Sequence, residues 1–315
     1  MPRKDAFRKA SEDYLEFIRK TRNSNTHRTY QKSLEHVHKA IKGSGVTTYI
    51  SRWRVEDVMD VMSQMGHLLP STRRLRLTVL RQMLLHAGLT VLDQAIRKGI
   101  IRMPKRSRVN VRWYGEEDIA LFLVSARDDV DYVIVTLASE LGLRRTEISS
   151  LRVTDIRGDV IIVRGKGENY VPLPLTQNVW TTLERWTFLR QNLIRKALRR
   201  VPGQDVPEEL LIHERGGHLR PYSPRTIQGR LSRLGKRVGK PLCPHDLRRS
   251  CGREVYLATR DLVAVNRLLR HEDLNQTRSY IGADLEDARA AMTARERKRA
   301  SIAPKIPEPV YVGRK

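Results

Sequence analysis

Cysteine is nearly missing from this 315-residue chain, with only Cys243 and Cys251 present. They form no CxxC pair and have no histidines at zinc-finger spacing, which argues against a disulfide scaffold or a zinc module. Both read as reduced, structural thiols. Long apolar runs are also absent. No stretch approaches the roughly 18 residues that span a bilayer, and Met1-Pro2-Arg3-Lys4-Asp5 carries no signal-peptide core. Acidic residues are scarce, at 35 Asp and Glu against 60 Lys and Arg, a net charge of +25. That surplus favours a polyanion, and without a membrane segment the expected partner is nucleic acid. No carboxylate cluster stands ready for Mg²⁺, so neither a metal nor another cofactor is expected. No internal repeat or low-complexity tract interrupts the chain. The expected location is the cytoplasm, with the DNA of the nucleoid.

What is present is a globular chain, 40% hydrophobic and long enough for two domains. Apolar residues at three- and four-residue steps predict four or five helices over residues 5–99. Tyr14, Phe17 and Ile18 mark the first. Tyr30, Leu34, Val37 and Ile41 mark the second, with Ser24 and Thr26 as cap candidates. Val55, Val58, Met59 and Met62 line a third, and Leu77, Leu80 and Leu84 a fourth that opens at Pro70 and carries Arg73, Arg74 and Arg76. Residues 100–112 break the pattern and read as a basic linker. Residues 1–111 hold 23 basic and nine acidic side chains, so +14 of the charge lies in this part.

Beyond 113 the pattern is mixed. Glu116 to Ser125 and Val130 to Leu141 read as helices, the second apolar nearly all round and so buried. Val160 to Val163 and Asn169 to Leu173 flank Gly165-Lys166-Gly167 as a hairpin. A long helix is expected near 176–199. After a Pro/Gly-rich stretch at 202–221, Ile227, Leu231, Leu234 and Val238 give another apolar stripe, with Arg225, Arg230, Arg233 and Arg237 off it. Residues 285–299 read as a short helix and the tail from 301 as loose. The four tryptophans, Trp53, Trp113, Trp180 and Trp186, read as packing residues.

Several residues carry the means for phosphodiester chemistry. Such transfer builds charge on non-bridging oxygens, and arginine's planar fork binds two of them at once. Arg144 falls where one helix ends and another begins, and Glu147, three positions on, shares its face. His245 and Arg248 stand at i and i+3 after Pro244, at a helix entrance. Tyr280 lies nine residues after His271. A phenol is a poor nucleophile unless its target and proton acceptor are preset, and these neighbours can preset both. Lys166, at a hairpin tip, can donate a proton to a leaving alkoxide or simply touch a phosphate.

Four blocks, in order, resemble the tyrosine recombinase (phage integrase) family. They are Gly142-Leu143-Arg144-Arg145-Thr146-Glu147, Gly165-Lys166-Gly167 with Val171-Pro172-Leu173, His245-Asp246-Leu247-Arg248, and Leu268-Leu269-Arg270-His271 through Tyr280. The resemblance implies a mainly α fold, with an N-terminal helical core-binding (SAM-like) domain over 1–99. A linker at 100–112, a mostly α catalytic domain with a small antiparallel β-sheet over 113–300, and a flexible tail at 301–315 would follow. It implies that Tyr280 attacks the scissile phosphate to form a 3′-phosphotyrosine, and that Arg144 and Arg248 grip the non-bridging oxygens. Lys166 would protonate the leaving 5′-oxygen, His245 would take or assist the tyrosine proton, and His271 would bind the phosphate. Glu147 would hold the geometry. Strand exchange would pass through a four-way junction in a homotetramer on two duplexes of double-stranded DNA, at a specific site, without metal or ATP.

The chain departs from the family pattern in two places. Arg270 stands where the family usually has glycine, and Arg145 where it usually has an apolar residue. A slip of one would make Arg145 the phosphate ligand, although the preceding Gly-Leu and the step to Glu147 favour Arg144. The length leaves no room for an extra arm-binding domain, which points to a Xer-like or Cre-like two-domain arrangement. Arg73, Arg74, Arg76, Arg225, Arg230 and Arg233 are candidate duplex contacts. Tyr311 is a rival phenol in a Pro-rich tail. A type IB topoisomerase and a DNA-binding protein without catalysis are the alternatives.

Overall fold

The computed structural model describes residues 5–105, 112–165, 170–271, 273, 274, 277, 292, 293 and 295–297. Lys166, Tyr280 and Tyr311 lie outside the described residues, as do the middle of the expected linker, the tail from 301 and most of the expected helix at 285–299. The chain divides into two compact units, Met1–Val109 and Asn110–Lys315, and this division falls within the expected linker.

The first unit is helical: α1 Ala6–Thr21, α2 Ser24–Ser44, α3 Val55–Ser63, α4 Pro70–His86 and α5 Val91–Arg97. Amphipathic stripes build one core, with Phe7, Tyr14, Leu34, Val37, Ile41, Val58, Leu77, Leu80 and Leu84 all buried. Two residues leave the expected stripes. Phe17 is 45% exposed and Met59 51%, each one position from the stripe residue that is buried, Ile18 or Val58. The cap of α2 also shifts. Asn23, not Ser24 or Thr26, is the N-cap, and its Oδ1 accepts the Thr26 N–H at 2.9 Å. An Asx side chain placed just before the first turn reaches the third amide, and Thr26 supplies that donor.

The second unit runs α6 Glu116–Val124, α7 Asp129–Glu140, α8 Arg145–Ser150, β1 Ile156–Arg157, β2 Val160–Arg164 and β3 Tyr170–Pro174. It continues with α9 Gln177–Arg200, β4 Ile212–Arg215, β5 His218–Pro221, α10 Pro224–Val238, α11 Pro244–Thr259 and α12 Leu262–Leu269. Helix α7 is buried along most of its length, as its apolar pattern predicts. Around it pack Phe122, Ile148, Leu183, Ile227, Leu231, Leu234 and Leu247 from five other helices. The expected hairpin forms, with β2 and β3 antiparallel and Val163 opposite Val171. Alternation turns Ile161, Val163 and Leu173 into the core, while Tyr170 stays outside. A short β1 extends this sheet on the other edge of β2.

The Pro/Gly-rich stretch at 202–221, read as loop, contains a second hairpin of β4 and β5. Its strands are four residues long, too short for a period-two signal, and they are held by packing of Ile212 and Leu219 against Ala197 of α9. Of the tryptophans, Trp53 and Trp186 are buried, and the Trp186 indole N–H donates to the Leu210 carbonyl at 2.8 Å. Trp113 and Trp180 are partly exposed, and the Arg253 guanidinium stacks 3.7 Å from the Trp113 ring centre. Both cysteines are free, and burial first of all pushes the Cys251 thiol up to about 12, consistent with an inert core thiol. No helix of the described residues is long and apolar enough to cross a membrane.

Candidate active site

Gly142 sets the floor of the site. It ends the α7 turn at φ +57°, and a Cβ there would stand 2.7 Å from Leu269 and 3.8 Å from the stem of Arg248. Only glycine meets both demands, positive φ and close approach. Chain direction then reverses into α8, with Arg144 as its N-cap in extended conformation. The Glu147 carboxylate reaches back to this cap. Its Oε2 accepts the Arg144 backbone N–H at 2.8 Å and its Oε1 accepts from Arg144 Nη1 at 2.6 Å.

Helix α11 enters at Pro244, where a missing N–H costs nothing, and carries Arg248 one turn in. Arg248 is 1% exposed, and its guanidinium donates to the Gly142 and Leu269 carbonyls while lying 3.8 Å from Glu147 Oε2. His245, on the same helix, is exposed. Its pKa is lowered, first by lost solvation and then by the positive charges of Arg249, Arg248, Arg145 and Arg144. The expected common heading of His245 and Arg248 thus splits by depth, one at the surface and one beneath it.

At the end of α12, Arg270 adopts the left-handed region at φ 52°, ψ 49°. A non-glycine residue gives up about 1 kcal/mol or more there. Its side chain turns inward. Nη2 donates to Glu147 Oε2 at 2.8 Å and to the Gly142 carbonyl at 3.2 Å, and Nη1 to the Leu268 carbonyl at 2.6 Å. The Arg270 carbonyl in turn accepts from Arg144 Nη2 at 3.1 Å. Burial works to raise the Glu147 pKa, but Arg270 and Arg144 outweigh it and hold the carboxyl below its ordinary value. Three guanidinium groups around one carboxylate leave the cluster about two charges positive, which suits a phosphodiester oxyanion.

His271 follows directly. Its Nδ1 lies 2.9 Å from Thr277 Oγ1, whose hydroxyl donates to Asn266 Oδ1 at 2.9 Å. With the hydroxyl proton so used, Nδ1–H is the donor, assigned from the bonding pattern, and Nε2 carries the lone pair of the neutral ring. Burial, followed by Arg248, Arg144 and Arg270, lowers its pKa to about 4. The ring is therefore neutral at pH 7.

Arg144, Glu147, Arg270 and His271 line a cleft of about 1270 Å³ that runs to Arg164, Gly165 and Val171 at the base of the β2–β3 hairpin. Lys166 follows Gly165 in the chain. Arg145 points elsewhere, its Nη1 bonded to Gln228 of α10 at 2.7 Å, so Arg144 and not Arg145 faces the cleft.

The candidate duplex contacts divide. Arg225 and Arg233 are exposed on α10. Arg230 departs from its expected role. Its side chain is 13% exposed, pairs with Asp128, and donates to Asp131 Oδ1 at 2.7 Å, because the face of α10 that it occupies meets the start of α7. In the first unit Arg73, Arg74 and Arg76 are half-buried on α4. Arg74 donates to the Pro104 carbonyl at 2.9 Å, and burial lowers the Arg76 pKa. Sequence reasoning missed Asn266 and Thr277, which set the His271 ring. Their nearness to His271 in the chain is the only sequence signal that points to them. It noted Arg270 as a departure without placing its side chain in the cleft.

Comparison with known proteins gives this constellation its class. The model of the phage integrase family matches residues 117–286. The tyrosine recombinase XerC of Chromohalobacter salexigens is 28% identical over 294 residues, covering 86% of this chain and 91% of the relative. XerC of Pseudomonas fluorescens is 30% identical over 294 residues, covering 87% and 91%. Among solved structures, XerH bound to a palindromic difH substrate matches with TM-score 0.68 at 18% identity, over 90% of this chain and 84% of that one. A lambda integrase fragment (75–356), a dimer bound to a COC′ core site, matches with TM-score 0.64 at 15% identity, over 87% and 94%. These two establish the fold. The chain belongs to the phage integrase family, the tyrosine recombinases, enzymes of site-specific DNA recombination.

Proposed function

We propose that this chain cleaves and rejoins double-stranded DNA at a specific site through a 3′-phosphotyrosine intermediate. The observation that carries the reading is the cleft lined by Arg144, Glu147 and His271, with Arg248 buried 3.8 Å from the same Glu147 carboxylate, so that three separated segments meet at one place. The Tyr280 oxygen bonds to the scissile phosphorus as the bond to the 5′-oxygen breaks. Lys166 gives the leaving oxygen its proton, and the tyrosine proton passes to His245. Arg144 and Arg248 stabilise charge on the non-bridging oxygens, while His271 touches the phosphate and Glu147 orients the arginines. The phosphodiester energy is kept in the tyrosyl ester, so a 5′-hydroxyl from a second duplex reverses the step without ATP or metal.

Residues 1–99 act as the core-binding domain, residues 100–112 as a basic tether and residues 113–300 as the catalytic domain, with residues 301–315 a flexible tail. Four protomers assemble on two duplexes and exchange strands through a four-way junction, in the cytoplasm where the DNA lies. The solved relatives XerH and lambda integrase are themselves bound to DNA, which supports the partner. Arg73, Arg74, Arg76, Arg225 and Arg233 are the proposed backbone contacts, in keeping with the net charge of +25.

The test is covalent capture from nicked duplexes with a randomised centre, read on a denaturing gel. The wild-type chain retains DNA, and Tyr280→Phe binds but retains none. A surviving adduct would reject Tyr280 as nucleophile. Relaxation of any supercoiled plasmid, without joining two duplexes, would favour topoisomerase activity instead.

A further inference from the structure

Arg270 occupies a position that glycine would fill at lower backbone cost, with φ at +52°. Its side chain nevertheless lies buried in the site, 5% exposed, with Nε lacking a hydrogen-bond partner among the described residues. A residue present only to end α12 has no need of such burial. The bonds it makes close a ring. Arg144 donates to Glu147 Oε1, Arg270 donates to Glu147 Oε2, and the Arg270 carbonyl accepts from Arg144. The same guanidinium donates to the Gly142 carbonyl, which Arg248 also holds.

For catalysis, this ring solves a conflict. Arg144 must turn toward the scissile phosphate, yet it is also a close partner of a buried carboxylate. Leaving that carboxylate with fewer cations would hold Arg144 back, since a buried anion without its pair is costly. Arg248 is 3.8 Å from Glu147 and is already bonded to two carbonyls. Arg270 touches the same carboxylate at 2.8 Å from the end of α12.

We propose that Arg270 is a positioning residue for strand cleavage, a counterion that keeps Glu147 neutralised so that Arg144 is released to the phosphate. The inference rests on the recombinase reading. Arg270 need not contact DNA; it acts through Glu147 and Arg144. Because it arises from the αL turn immediately before His271, it also ties that histidine to the Arg144 loop.

A double-mutant cycle tests this on single-turnover adduct formation, using the duplex that the wild-type chain retains covalently from the randomised pool. Arg270→Gly, Glu147→Gln and the double variant are compared at saturating DNA, with urea midpoints measured alongside. Arg270→Gly slows adduct formation by about tenfold with Glu147 present and much less in the Glu147→Gln background, the coupling expected of neighbours in one ion-pair network. Arg270→Lys restores part of the rate, since a lysine ammonium still supplies charge but not the planar fork. DNA affinity changes little in every variant. Equal slowing in both backgrounds would reduce Arg270 to a structural residue and overturn the proposal, as would an Arg270→Gly variant as fast as wild type. A wild-type chain that forms no adduct would overturn the recombinase reading, and this inference with it.

Discussion

Acidification should weaken this fold through one imidazole. His271 titrates at about 4 in the folded chain, against an ordinary value of 6.5, because burial and then Arg248, Arg144 and Arg270 oppose its positive form. In the unfolded chain it takes a proton near 6.5. Between these values the unfolded state binds more protons, so its contribution to stability is complete above pH 6.5 and is lost as pH falls toward 4. The full difference corresponds to about 3 kcal/mol, and about 2 kcal/mol is already lost at about pH 5. Urea unfolding of the wild type and His271→Gln at about pH 7.5 and about pH 5 isolates this share, since carboxylates such as Glu147 and Asp128 titrate in both proteins. The wild type should lose about 2 kcal/mol more than the variant over that interval. Following the imidazole ring proton by NMR gives the same answer directly, with a midpoint near 4. Parallel stability profiles, or an imidazole midpoint at its ordinary value, would refute the claimed burial and positive field around His271.

Arg230→Ala leaves the buried Asp131 without its cation and should cost about 3 kcal/mol in urea unfolding. Arg225→Ala and Arg233→Ala should leave stability unchanged, and each should reduce the slope of log affinity against log salt by about 0.9 for every phosphate that the arginine neutralises. Gly142→Ala combines a positive φ with a Cβ 2.7 Å from Leu269, so about 2–4 kcal/mol of destabilisation is expected, read as a lower urea midpoint. Lys166→Ala should cleave slowly on ordinary DNA and recover on a substrate whose 5′-bridging atom is sulfur, a leaving group that needs no proton. Failure to recover would leave the lysine as a phosphate ligand without a role in proton transfer.

Local patterns in the chain determined much of this protein. The apolar stripe of α2, the all-round burial of α7, the proline entrances of α4 and α11 and the hairpin about Gly165 each follow from periodicity or from a backbone restriction of one residue type. The Gly-Leu-Arg and His-x-x-Arg segments are each weak signals alone, since a solvated helix face explains either; their joint occurrence in order with the hairpin and the segment from Leu268 to Tyr280 carries the resemblance to the family. Folding alone decided which of those cations are available. Arg230 and Arg233 look alike on a helical wheel, yet one lies against Asp131 and the other faces solvent, since only the packing of α10 on α7 sets that difference. Arg144 is already favoured over Arg145 by the preceding Gly-Leu and the step to Glu147, but the depth of Arg248 beneath His245 and the inward turn of Arg270 are long-range results. Each depends on a carbonyl or carboxylate contributed by a residue distant in the chain, and no local periodicity encodes where such a partner will stand.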